Sequence, residues 1–249
     1  MKKLFLPIML LMVLVVSACN NTNTSSNNKV NSEPAKQEDT TATPEKKSGT
    51  ITYQSENGPI KAPADPQRFV VLSSYAGDVM ALNVNLVGVD SWSKSNPRFE
   101  AGMKDAAEVS DENLEKIIEL DPDLIIGLST INNIDKLSKI APTVTFTYGK
   151  LDYLTQHLEI GKLLNKEKEA QTWIDDFKKR AHAAGEEIKA KIGPDATVSV
   201  IENFNKQLYV FGDNWGRGTE ILYQEMKLKM PDKVKEMALD KIDGSHYTD

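Results

Sequence analysis

The sequence predicts an α/β protein: a parallel sheet with helices on its faces, followed by one helix long enough to join two lobes. Three observations carry this. Short apolar runs alternate with polar loops and helical stretches from Thr50 onward. A single uninterrupted helical stripe occupies Lys166 to Ile192. The strand-and-helix pattern then resumes beyond Gly193-Pro194.

The folded part opens with a hairpin signal, in which Ile51–Gln54 and Pro59–Ala62 bracket Glu56-Asn57-Gly58. Phe69-Val70-Val71-Leu72 reads as a buried strand and leads through Ser73–Asp78 into the helix-like Val79–Leu82. Leu86–Val89 runs into Asp90-Ser91-Trp92. Leu114, Ile117 and Ile118 give helical spacing that stops before Asp121-Pro122. Leu124–Leu128 is followed by Ser129-Thr130, and Thr143–Phe146 by Thr147-Tyr148. Strands that alternate with helices in this way pair in parallel.

In the long helix the apolar positions are Ala170, Trp173, Phe177, Ala181, Ala184, Ile188 and Ile192, in steps of three and four. At 1.5 Å per residue the helix spans roughly 40 Å. Gly193-Pro194 ends it. Thr197–Ile201 and Leu208–Phe211 read as further strands. Gly212–Gly218 follows, with Thr219 as N-cap of a helix over Glu220–Leu228.

The N-terminus carries its own signal. Lys2 and Lys3 precede an apolar run from Leu4 to Val16, shorter than the ~20 residues that cross a bilayer. The run ends in Val16-Ser17-Ala18-Cys19, a pattern that resembles the lipobox of bacterial lipoproteins, where the cysteine carries the lipid. Cys19 is the only cysteine in 249 residues, so no internal disulfide is available. Asn20–Ser48 is almost wholly Asn, Thr, Ser, Lys, Glu, Pro and Ala, the composition of a disordered tether. The formal net charge is −6, and −8 without Lys2 and Lys3. An acidic chain argues against nucleic acid as a partner.

Ligands of open α/β sheets bind outside the carboxyl ends of the strands. The loops there supply Tyr75, Trp92, Ser129, Thr130 and Tyr148 early in the chain, and Asn203, Phe204, Trp215 and Arg217 late. Aromatic area with few polar groups suits an organic ligand. Trp215 and Arg217 are two apart, and in an extended loop they would face one side. The same two residues read equally well as a buried tryptophan and a surface arginine. Metal ligation by side chains is poorly supported, because His157, His182 and His246 are scattered and the lone cysteine is the anchor. Neither a G-x-S-x-G elbow nor an S-x-x-K with K-T-G is present, so no enzyme is indicated. Asp78 and Asp111 read as helix-dipole partners.

Pro66-Gln67-Arg68-Phe69-Val70-Val71-Leu72, Asn113–Ile117 leading into Pro122-Asp123-Leu124-Ile125-Ile126, and Ala141-Pro142-Thr143 together resemble the siderophore-type solute-binding lipoproteins of ABC importers. The stretches Ala196–Ser199, Leu208-Tyr209 and Gly212–Gly218, with Leu222-Tyr223 following, are most similar to the ferric hydroxamate binders of Gram-positive bacteria. The resemblance implies a class III solute-binding protein, with two Rossmann-like lobes joined by a single long helix. Its expected parts are a signal peptide (1–18), tether (19–48), first lobe (49–164), linker helix (165–192) and second lobe (193–249). Tyr148, Tyr209, Trp215 and Arg217 match pocket positions, and Tyr75 and Trp92 are candidates beside them. Glu115 matches a glutamate that docks on the permease. The partners implied are an iron(III)-siderophore complex as cargo, an ABC permease and a membrane reached through the lipid, with the chain itself a monomer on the extracellular face and no resident cofactor. A catecholate, haem or corrinoid is the alternative cargo. Only 57 residues follow Ile192, so the second lobe is expected to be truncated relative to the family.

Overall fold

The computed structural model describes residues 49–214, 216–239 and 246–248. The signal segment, Cys19, the tether and Trp215 lie outside the described residues.

Strands β1 (Thr50–Ser55) and β2 (Gly58–Pro63) form the antiparallel hairpin expected from Asn57-Gly58, with Ser55 opposite Gly58. Gly58 has φ +107, a conformation that favours glycine. The hairpin is tied to the rest of the fold by Asn57 Nδ2 donating to Thr145 Oγ1 at 3.1 Å and by Tyr53 Oη donating to Glu159 at 3.2 Å.

The first sheet is built in order from β3 (Phe69–Val71), α1 (Ala76–Ala81), β4 (Leu86–Val89), α2 (Ser91–Lys94), β5 (Ala107–Glu108), α3 (Leu114–Glu119), β6 (Leu124–Leu128), α4 (Ile134–Ile140) and β7 (Thr143–Phe146). Its strand order is β5-β4-β3-β6-β7, and all four pairings are parallel. Both faces are covered. Phe69, Val71, Leu124 and Ile126 pack into one apolar cluster, while Val70, Ile125, Ile117 and Leu137 pack into another on the opposite face. This is why the strands read as continuous apolar runs rather than alternating ones. The chain moves outward from β3 to β4 and β5, then returns to the other side of β3 with β6. The direction therefore reverses beside β3, which is the place where such sheets open a crevice.

Helix α5 (Tyr153–Leu163) is N-capped by Asp152, whose carboxylate accepts from the amides of Leu154 and Thr155. Helix α6 (Glu167–Ile192) follows, with Glu167 and Glu169 in its first turn and Lys189 and Lys191 in its last, matching the helix dipole. At 26 residues it is about 39 Å long. Its fully buried positions are Ala170, Ile174, Ala181 and Gly185, whereas Trp173, Phe177, Ala184 and Ile188 of the sequence stripe are half-buried and Ile192 is exposed. The buried line thus runs one residue beside the aromatic one. Gly185 is required where α6 meets the next region, because a Cβ there would strike the carbonyl of Met226.

Beyond α6 the structure departs from the sequence reading in three ways. First, β8 (Ile201–Phe204) and β9 (Gln207–Phe211) are antiparallel, and β10 (His246–Thr248) adds antiparallel to β9. Only Asn205 and Lys206 separate β8 from β9, and both have positive φ, at 55° and 65°. A two-residue loop can join only antiparallel neighbours. Second, the strand expected at Thr197 is a single parallel bridge to Lys229. Third, Thr219 lies inside the first turn of the expected helix rather than capping it: its buried hydroxyl donates to the Gly216 carbonyl at 2.9 Å, and the helix is shorter, ending at Glu225 in a widened turn closed by Met226 N donating to Ile221 O.

Candidate functional site

A cavity of about 570 Å³ opens at the reversal point of the first sheet. Ser74, Tyr75 and Asp78 reach it from the loop after β3 and from α1. Tyr148 reaches it from the loop after β7. Gln156, His157 and Trp173 line it from α5 and α6, and Arg217 and Glu220 from the turn after β9. The size and the mixed aromatic and polar wall match an organic-ligand pocket.

Tyr75 is buried and packs edge-on against Phe146 with ring centroids 5.4 Å apart. Burial, and next the neighbouring Asp78, push its phenol well above the ordinary tyrosine value, so the hydroxyl stays protonated as a donor. Tyr148 presents an exposed ring at the mouth. Arg217 adopts φ +54, a left-handed conformation uncommon outside glycine, and Gly218 follows at +76. Its guanidinium holds Glu202 through three contacts of 2.8–3.1 Å and lies 5.4 Å over the Phe211 ring. Residue 217 sits in a turn rather than in an extended loop; Trp215, its expected neighbour at the site, lies outside the described residues.

The remaining sequence candidates are placed elsewhere. Trp92 lies on α2, 83% exposed and off the cavity wall. Tyr209 lies on β9 opposite Glu202, within reach of the Phe204 ring at 6.5 Å but not on the wall. Thr147 Oγ1 donates to Glu56 of the β1–β2 turn and accepts from the Ser129 hydroxyl at 3.2 Å, so these hydroxyls hold the hairpin rather than the cavity. Glu115 stands exposed on the first turn of α3.

Sequence reasoning missed the base of the cavity. His157 is 2% exposed, its Nδ1 lies 2.9 Å from Asp78 Oδ1, and its ring meets Trp173 at 4.5 Å. Trp173 in turn stacks on Phe177 at 5.2 Å, and Tyr153 meets Phe177 edge-on at 6.0 Å. Asp78 is therefore the partner of a buried histidine rather than a helix-dipole residue alone. Among the described residues, three buried side-chain atoms have no hydrogen-bond partner: Tyr153 Oη, Gln156 Nε2 and His157 Nε2. Each such atom costs about 1–3 kcal/mol. All three belong to residues of the cavity wall. The spacing of 153, 156 and 157 on one helical face was legible, but Asp78 is 79 positions away and no local pattern connects them.

A parallel sheet flanked by helices, one long helix leading on from it, and a ligand-sized cavity at the sheet's reversal point are the architecture of a solute-binding protein. Residues 70–246 match the periplasmic binding protein family, and the chain belongs to it. It is 35% identical over 242 residues to the iron(3+)-hydroxamate-binding protein FhuD of Bacillus subtilis (strain 168), covering 96% of this chain and 72% of that protein. A solved FhuD fold-family component of a Fep/Fec-like ferrichrome ABC transporter from B. subtilis superimposes with a TM-score of 0.73 at 36% identity, covering 79% of this chain and 73% of the other. FhuD2 of Staphylococcus aureus with bound ferrioxamine B gives 0.67 at 36% identity, covering 74% and 71%.

Proposed function

We propose that this chain captures an iron(III)-hydroxamate siderophore in the cavity and delivers it to an ABC permease. The observation that carries the choice of ligand is the charge on the wall. Among the described wall residues Asp78 and Glu220 are acidic, and Arg217, the arginine among them, is held by Glu202. A ferric catecholate brings about three negative charges, and burying them requires compensating cations. A neutral or weakly cationic ferric hydroxamate needs none. The names of the relatives agree with that chemistry. Tyr75, Tyr148 and Arg217 are the proposed wall contacts, and Trp215 and Tyr209 remain proposed ligand contacts on the sequence resemblance alone. Trp92 is left out because of its position.

The remaining parts of the reading rest on the sequence. Cys19 carries a lipid after removal of residues 1–18, residues 19–48 are the tether, and 49–164 and 193–249 act as two lobes on a linker over 165–192. Glu115 meets a basic group of the permease. Titration with iron-loaded ferrioxamine B, followed by tryptophan fluorescence, tests the ligand. Saturable quenching is expected, weakened at least tenfold when Trp215 and Arg217 are both replaced by Ala. Absence of quenching by any ferric hydroxamate overturns the proposal.

A further inference from the structure

One cluster on the cavity wall has no part in the reading above. Tyr153, Gln156 and His157 are spaced by three and four on α5, so they share a helix face. Gln156 and His157 are more than nine-tenths buried. Their unpartnered nitrogens and the Tyr153 hydroxyl are, among the described residues, the full set of buried side-chain polar atoms lacking a hydrogen bond. Buried polar atoms are satisfied almost everywhere in proteins, and three exceptions gathered on one face of a ligand cavity point to a ligand group.

The chemistry of the three atoms narrows what that group is. The Asp78 carboxylate only accepts, so His157 Nδ1 donates to it. In the neutral imidazole Nε2 is then an acceptor. Gln156 Nε2 is a donor. Tyr153 Oη is kept protonated by burial and then by nearby Glu225, Glu220 and Asp152, so it also donates. The face offers two donors and one acceptor. A carboxylate or phosphate would meet the donors but would place negative charge near Asp78 and leave Nε2 without a proton. An ammonium would meet Nε2 and leave both donors unmatched. A secondary amide meets all three, because its carbonyl accepts twice and its N–H donates once.

We propose that Tyr153, Gln156 and His157 form an amide subsite, which takes a secondary amide of the ligand backbone separately from the iron-chelating oxygens. The proposal rests on the cavity being the siderophore site. The three atoms are closed to solvent in this conformation, with Trp173 in ring contact with His157, so filling the subsite requires the wall to rearrange. Asp78 acts as the positioning residue that fixes the imidazole tautomer.

The test uses the full chain and ferrioxamine B, whose backbone carries secondary amides beside its hydroxamates. Tyr153→Phe and Gln156→Met each remove one donor and keep the shape. Each substitution is expected to weaken ferrioxamine B binding by roughly five- to tenfold, while the melting temperature of the unliganded protein stays level or rises, because an unpartnered polar atom has become apolar. Opposite movement of affinity and stability is a signature that a merely structural role would not give. Unchanged affinity in both variants, or affinity and melting temperature falling together, overturns the subsite and leaves the siderophore reading standing. No binding of ferrioxamine B by the unsubstituted chain overturns the siderophore reading itself.

Discussion

Glu202 sets how much positive charge the cavity offers. It holds the Arg217 guanidinium through both carboxylate oxygens, with side chains 30% and 56% exposed. A pair this open to water contributes little to stability, so its effect falls on selectivity. Glu202→Gln should leave the denaturation midpoint almost unchanged. It should improve the affinity for an anionic ferric catecholate, relative to a ferric hydroxamate, on the order of fivefold, because the arginine charge is no longer held by a carboxylate. Parallel titrations of the two chelates check this, and an unchanged ratio would remove Glu202 from the selectivity argument. At this scale the sequence reveals residues whose place follows from strand order. Tyr75, Tyr148 and Arg217 each stand just after a strand, and all three reach the cavity wall. Trp92 also follows a strand, yet the four-residue helix α2 carries it into solvent. Pairings such as Asp78 with His157 depend on two distant helices meeting, and nothing local encodes them.

Helix α5 presents the base of the cavity, and Asp152 starts it. Burial raises the Asp152 carboxyl, but hydrogen bonds from Thr155 and Leu154 outweigh this and hold it below the usual carboxylate range. A group whose folded pKa is depressed stabilises above its unfolded value, and that contribution is lost as pH falls through the folded value. Asp152→Ala should therefore cost about 1 kcal/mol at neutral pH. The cost should shrink as pH drops below the ordinary aspartate range, where the cap is protonated in both states. Denaturation midpoints at neutral and strongly acidic pH measure it, and a cost that stays constant with pH would contradict the capping role. Elements were legible wherever a single period dominates. The Asn57-Gly58 hairpin and the stripe of α6 each follow from one local rule. The β8–β9 pair was misread because Asn205-Lys206 lacks the glycine that usually marks a two-residue turn, although both residues adopt the positive φ that such a turn demands. The turn at Ile221–Glu225 was read as an ordinary helix because widening by one residue leaves the apolar pattern nearly intact.

At the scale of the whole molecule, the proposed function needs a cavity that selects by charge, a docking surface at Glu115 and a lipid on Cys19. Tethering raises the effective concentration of the binding protein at its permease without any new contact. The proposed docking role can be tested apart from binding, since Glu115 is exposed on α3 and absent from the cavity wall. Glu115→Lys should leave siderophore affinity unchanged and reduce cellular uptake at least severalfold. Normal uptake with the charge reversed would refute its role. The most direct test of the central claim is calorimetric titration of the full chain with ferrioxamine B and with a trianionic ferric tris-catecholate under the same buffer and salt. Saturable binding of the hydroxamate is expected, with catecholate binding at least tenfold weaker. Tighter binding of the catecholate, or no heat from the hydroxamate, would contradict it.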